Sequence, residues 1–288
     1  MTRCHTGAFT AQEEARSARV AAFITFHYRP HTMQYLGRVL KNLSDFVVAR
    51  MNVTIVTNAE DPDILDRIRK LSENYLEPGN HSVFSAPPLD PPQLLTWQHK
   101  SLLRGAAHDA NEFSHFLYLE DDIGFTFRNF IYFLEFVTPL RQERLIPSFI
   151  RSEFNHTYGA LFSADAVVPM TIIDEKAVYL SGVKFVSPVF PYCACFIMDR
   201  AMIEEYIDSM SFGLESSCKT SDWGVSERSA MGLCWEDPPK GFRHRYVLPI
   251  RDDRQVLPEA QIAHMPSNYT NSPHVDKLGK LRLTEVFI

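Results

Sequence analysis

Hydrophobic and polar positions follow two rhythms along the chain. Residues 19–26 (RVAAFITF) form a continuous β-rich run, stopped by His27-Tyr28-Arg29-Pro30 because the residue before a proline is held out of helical space. Over residues 31–48 the apolar positions Tyr35, Leu36, Val39, Leu40 and Leu43 recur every three or four residues, the spacing of a helix. Residues 51–57 (MNVTIVT) return to the strand pattern. Asp61-Pro62 ahead of Ile64, Leu65, Ile68 and Leu71 then predicts a helix with an Asp N-cap and a proline in its first turn. A short strand at 81–85 runs into a rigid proline-rich connection at 86–92. A helix is expected over 93–110, and residues 116–120 (FLYLE) form a strand that ends in Glu120-Asp121-Asp122.

Beyond this point the rhythm shortens. A helix is predicted over 127–142, with Phe130, Phe133, Leu134 and Val137 on one face. Residues 145–189 read as short antiparallel strands joined by turns, including 176–187. A buried strand at 188–198 precedes a helix at 200–210, and a further helix opens at Ser221-Asp222-Trp223. Residues 244–250 (HRYVLPI) form one last strand before a polar loop.

Strand and helix alternating over the first 125 residues predict an α/β fold: a Rossmann-type, mostly parallel central sheet flanked by helices, with a smaller antiparallel part. The expected organisation is a flexible N-terminus at 1–18 and a single domain at 19–288, divided into a parallel half (19–125) and an antiparallel half (126–288). Ligands of such sheets bind beyond the carboxyl ends of the strands, where the acidic triplet falls.

Composition narrows the function classes. A chain of 288 residues with 45% hydrophobic content can bury a large core. Its net charge of -6 gives no general attraction to nucleic acid. Five cysteines without a CxxC pair fit neither a zinc site nor a disulfide framework, and point to a reducing compartment. No apolar run is long enough for a signal peptide or a membrane span, so the expected location is cytoplasmic, with peripheral contact the only form of membrane association left open.

Three adjacent carboxylates repel one another unless a cation or hydrogen bonds offset their charge. Oxygen-only ligands suit Mg²⁺ or Mn²⁺, which take one or two carboxylates and complete their shell with water and substrate phosphates. That chemistry points to a nucleotide diphosphate. A solvated acidic turn after a core strand is the plain structural alternative.

The first strand ending at Thr25, the LYLEDD stretch and the late run His264-x-Pro266-x-x-Tyr269 together resemble glycosyltransferases of the GT-A fold, over roughly residues 20–269. The resemblance implies sugar transfer from a UDP- or GDP-sugar to a glycan, lipid-linked or small-molecule hydroxyl, with 19–125 binding the nucleotide and 126–288 the acceptor. It implies Asp122 as the direct metal ligand, His264 as a second one on a loop closing over the site, and Glu120 and Asp121 at the donor ribose or bracing the ligand. A glutamate stands where the common pattern has its first aspartate. Thr25, His27 and Arg29 would meet the base and ribose, and Lys100 the phosphate or base. Asp222 would take the acceptor's proton, with Glu227 the second choice; Ser221 and Asp222 are also good N-caps. A metal-dependent nucleotidyltransferase or phosphohydrolase is the alternative enzyme class, although no glycine-rich phosphate loop is present. A non-catalytic nucleotide-sugar binding module is the other.

Overall fold

A computed structural model of the chain describes residues 4–109, 111–172 and 177–288, with side chains from residue 10 onward. Residues 1–3 of the expected flexible N-terminus, residue 110 and Lys176 lie outside the described residues. In chain order the first elements are α1 (Cys4–Ser17), β1 (Arg19–Phe26), α2 (Met33–Ser44), β2 (Arg50–Thr57), α3 (Pro62–Glu73), β3 (His81–Ser85), α4 (His99–His108), β4 (His115–Glu120) and β5 (Ile123–Gly124). There follow α5 (Phe127–Gln142), β6 (Ile146–Pro147), β7 (Ile150–Asn155), β8 (Ala160–Ser163), β9 (Ala177–Leu180), β10 (Val183–Val186), β11 (Cys195–Asp199) and α6 (Arg200–Asp208). The last are α7 (Val225–Ala230), β12 (Tyr246–Ile250), β13 (Gln261–His264) and α8 (Asn268–Asn271).

The chain divides into two compact units. One comprises residues 14–127 and 194–233. Its five-stranded sheet has the order β11-β4-β1-β2-β3, in which β1, β2, β3 and β4 run parallel and β11 pairs antiparallel with β4. Ile24, Phe26, Phe116, Leu117, Tyr118 and Leu119 are buried, each large apolar side chain contributing about 1.5–3 kcal/mol. The apolar stripe of α2 buries Leu36, Val39, Leu40 and Leu43. α3 starts where expected: Asp61 Oδ1 accepts from the Asp63 amide at 2.8 Å and Pro62 occupies the first turn.

The sheet grows from β1 through β2 to β3 and then reverses, placing β4 on the other side of β1. Strand ends diverge at such a reversal and leave a crevice beyond their carboxyl ends. Thr25 and Glu120 are registered partners there.

The other unit comprises residues 1–13, 128–193 and 234–288. One sheet has the order β6-β12-β10-β9. Its β9–β10 hairpin turns on Ser181 and Gly182, both with positive φ (51° and 81°), the type I′ geometry that suits the strand twist. In a second sheet β7 lies between β13, parallel to it, and β8, antiparallel.

Several expectations are revised. The fold is mixed α/β with several sheets rather than one mostly parallel sheet, and two units replace the single domain because residues 194–233 return to the first unit. The N-terminal arm is helical over Cys4–Ser17, with Ala11 and Ala15 buried. The helix expected over 93–110 breaks into a 3-10 segment, Pro92–Trp97, and α4. The strand expected over 188–198 begins only at Cys195, after Ala194 takes φ 55°. Among the described residues no helix is long and apolar enough to cross a membrane.

Candidate active site

The acidic triplet begins on the last residue of β4 and continues into the turn before β5. All three carboxylates are partly buried. Backbone hydrogen bonds fix the segment from both sides: the Glu120 amide donates to the Ala194 carbonyl at 3.1 Å, and the Asp121 amide to the Thr25 carbonyl at 3.1 Å. Burial raises the Asp121 pKa well above the ordinary carboxylate range, and the charges of Asp122 and Glu120 push it further. The Arg29 guanidinium opposes this shift. His27, beside Arg29, is lowered by partial burial and then by that positive charge, so its imidazole is neutral at physiological pH.

Beneath the triplet lies a wall that the sequence did not suggest. Tyr118 is fully buried, its ring 4.0 Å from that of His99 and stacked at 5.2 Å on Phe196. Burial raises its phenol pKa, reinforced by Glu120, so the hydroxyl keeps its proton. The Thr25 and Ser229 hydroxyls lie beside it, without closing a hydrogen bond of ordinary geometry onto it. Thr25 itself is only 5% exposed, so it meets a donor chiefly through its carbonyl's hold on Asp121. The visible signal for this wall was the aromatic at position 118 among aliphatic neighbours.

Asp222 and Glu227 belong to the same unit. Asp222 is exposed, in the segment before α7, and it does not cap that helix: the N-cap is Gly224. Glu227 stands three residues into α7, and its carboxylate lies back against Gly224, where a Cβ would meet Oε2 at 2.3 Å. This is the position from which a glutamate braces a helix start. Trp97 Nε1 donates to the Val225 carbonyl at 2.7 Å, and Arg228 to the Trp223 carbonyl at 2.7 Å, so the approach to α7 is tied down.

Two expected site residues stand elsewhere. Lys100 is 6% exposed, with Nζ donating to Tyr206 Oη and lying 4.7 Å from the centre of the Trp97 ring and 5.2 Å from that of Phe212. It is a core ammonium, neither facing a phosphate nor solvated. Burial lowers its pKa well below that of a free lysine.

His264 ends β13 in the other unit and is 4% exposed, not on a closing loop. Its Nδ1 bonds the Glu153 carboxylate, which is itself 1% exposed and accepts from the Thr270 amide at 2.6 Å. The imidazole stacks on Tyr269 at 4.9 Å. A carboxylate on Nδ1 fixes the tautomer and leaves Nε2 as the acceptor nitrogen of the neutral ring. Glu153 was legible only as an acidic residue in an otherwise apolar strand.

Among the described residues no three His, Cys, Asp or Glu side chains are gathered into a ready-made metal cage. Mg²⁺ and Mn²⁺ held together with a nucleotide need only one or two protein carboxylates. The raised Asp121 carboxyl, crowded by Asp122 and Glu120, is the environment that a divalent cation relieves, so the donor set fits. Comparison with protein-family models and with curated proteins finds no match for the chain.

Proposed function

We propose that the chain transfers a sugar from a nucleotide diphosphate to a hydroxyl acceptor, with Mg²⁺ or Mn²⁺ held at Asp122. The observation that carries this reading is the position of Glu120-Asp121-Asp122 at the carboxyl end of β4, beside the end of β1, where the strand order reverses. The parallel β1–β4 core with antiparallel β11 at its edge supports the resemblance to GT-A glycosyltransferases. When bound, the cation would bridge the diphosphate oxygens and stabilise charge on the leaving group.

The protein groups act around it. The Thr25 carbonyl and the Ala194 carbonyl hold the acidic turn in place through its amides. Arg29, electrostatically coupled to Asp121, offers a planar fork to phosphate oxygens. His27, neutral, supplies one donor and one acceptor to ribose or base. Asp222 is exposed and uncommitted to the helix start, so it is the better base for the acceptor hydroxyl; Glu227 is braced against Gly224.

Calorimetry with UDP and GDP tests the reading. Binding is expected in the presence of Mn²⁺ or Mg²⁺, to be lost with a chelator and in Asp122→Ala. Binding that persists in the variant overturns it. Product analysis with a panel of nucleotide sugars then separates sugar transfer, which releases nucleoside diphosphate, from nucleotidyl transfer, which releases pyrophosphate.

A further inference from the structure

The unit formed by residues 1–13, 128–193 and 234–288 contains a concave site that the reading above does not use. Tyr179, Lys184 and Ile250 are directly registered partners on the adjacent strands β9, β10 and β12, so their side chains form a row on one face of the sheet. Lys184 Nζ lies 5.7 Å from the centre of the Tyr179 ring. At the end of the row β12 enters a tight turn, closed by Arg251 N–H to the Gln255 carbonyl at 2.9 Å and Arg254 N–H to the Arg251 carbonyl at 2.9 Å. Arg254 takes φ 64° within it. This turn brings two guanidinium groups and the Asp252 carboxylate to the rim. The opposite wall is Ile172 and Ile288, whose backbones are joined by Ile172 N–H to the Ile288 carbonyl at 3.2 Å.

These groups enclose about 260 Å³. Drug-sized ligands occupy about 300–1,000 Å³, so this cavity suits one ring rather than an oligosaccharide. Three cationic side chains, Lys184, Arg251 and Arg254, face a single carboxylate there, in a chain whose net charge is -6. The local sign is opposite to that of the whole molecule, which selects an anion.

A bare inorganic anion would leave the rest of the lining unused. Tyr179 is 65% exposed and presents an aromatic face, while Ile172, Ile250 and Ile288 present aliphatic surface. Aromatic and aliphatic walls pack the C–H face of a sugar ring, a carboxylate accepts its hydroxyls, and guanidinium forks bind its anionic substituent. We propose that this cavity binds a single anionic sugar residue, one carrying a carboxylate or a phosphate, with Arg251 and Arg254 on the anion, Tyr179 against the ring and Asp252 on a hydroxyl. The proposal is independent of the transferase reading, because nucleotide binding through Asp122 is measured separately and either can fail alone.

Titration calorimetry at low salt tests it with glucuronate, glucose 6-phosphate and neutral glucose. At least one of the two anionic sugars is expected to bind, with glucose about tenfold weaker or more, and which of them binds identifies the anionic group. In R251A/R254A, at unchanged thermal midpoint, the anionic sugar is expected to lose about tenfold in affinity or more. Tyr179→Ala should weaken the anionic sugar while leaving inorganic phosphate unaffected. Failure of both anionic sugars to bind at millimolar concentration, undiminished binding in R251A/R254A, or equal retention of sugar and phosphate in Tyr179→Ala overturns the proposal.

Discussion

An ammonium enclosed by Trp97, Tyr206 and Phe212 loses most of its hydration and recovers part of it from the Tyr206 hydroxyl and the aromatic faces. Burying such a charge is costly, and an apolar side chain of similar shape is often tolerated equally well. Lys100→Met is therefore expected to leave the urea midpoint unchanged or higher and to leave nucleotide affinity unchanged. A large loss of nucleotide binding at full stability would return Lys100 to the donor site. The sequence could show the spacing of Trp97 and Lys100, three residues apart on a helical turn. It could not show Tyr206 and Phe212, brought in from more than a hundred residues away. The same distance hid Glu153 from His264. Aspartates at the end of an apolar strand were legible because strand, turn and charge are all local there.

At the scale of elements, what the sequence reveals follows length. β1, β2, β4, α2 and α3 carry their own periodicity and caps, and each lies close to where the pattern puts it. β13 has four residues and α7 six, too few to show a period; β13 is defined by its pairing with β7, and α7 by its ties to Trp97 and Arg228. α8 is another such element. The Lys280 ammonium donates to the Tyr269 and Ser272 carbonyls, both at 3.0 Å, and Gly279 passes close by with φ 70°. A Cβ at Gly279 would lie 2.5 Å from the Thr270 amide nitrogen, a backbone atom that cannot swing aside. Gly279→Ala therefore combines left-handed strain with a clash and should cost about 2 kcal/mol or more, read from the urea midpoint.

The whole molecule carries buried imidazoles in both of its units. Burial lowers His115 and His244 from 6.5 to about 4. As pH falls through 6.5 the unfolded chain takes up these protons while the folded chain refuses them, so each imidazole's contribution is complete above about 6.5 and is lost between 6.5 and 4. Asp121, raised by burial, works with the opposite sign, so the clean measurement is a difference. His115→Asn is expected to show a shallower fall in stability over that window than the parent protein, by chemical denaturation at several pH values. Parallel curves would remove His115 from the account.

One further consequence belongs to the order in which the chain is made. Leu119 pairs with Cys195, and Phe116 with Met198, so the outer flank of β4 stays bare until β11 has been synthesised. At about 5–20 residues per second, roughly 75 residues of further translation leave that flank uncovered for about 4–15 s. During that interval an unpaired apolar ribbon emerges from the ribosome with its amides and carbonyls open to any passing strand, which marks this nascent chain as a client for chaperones.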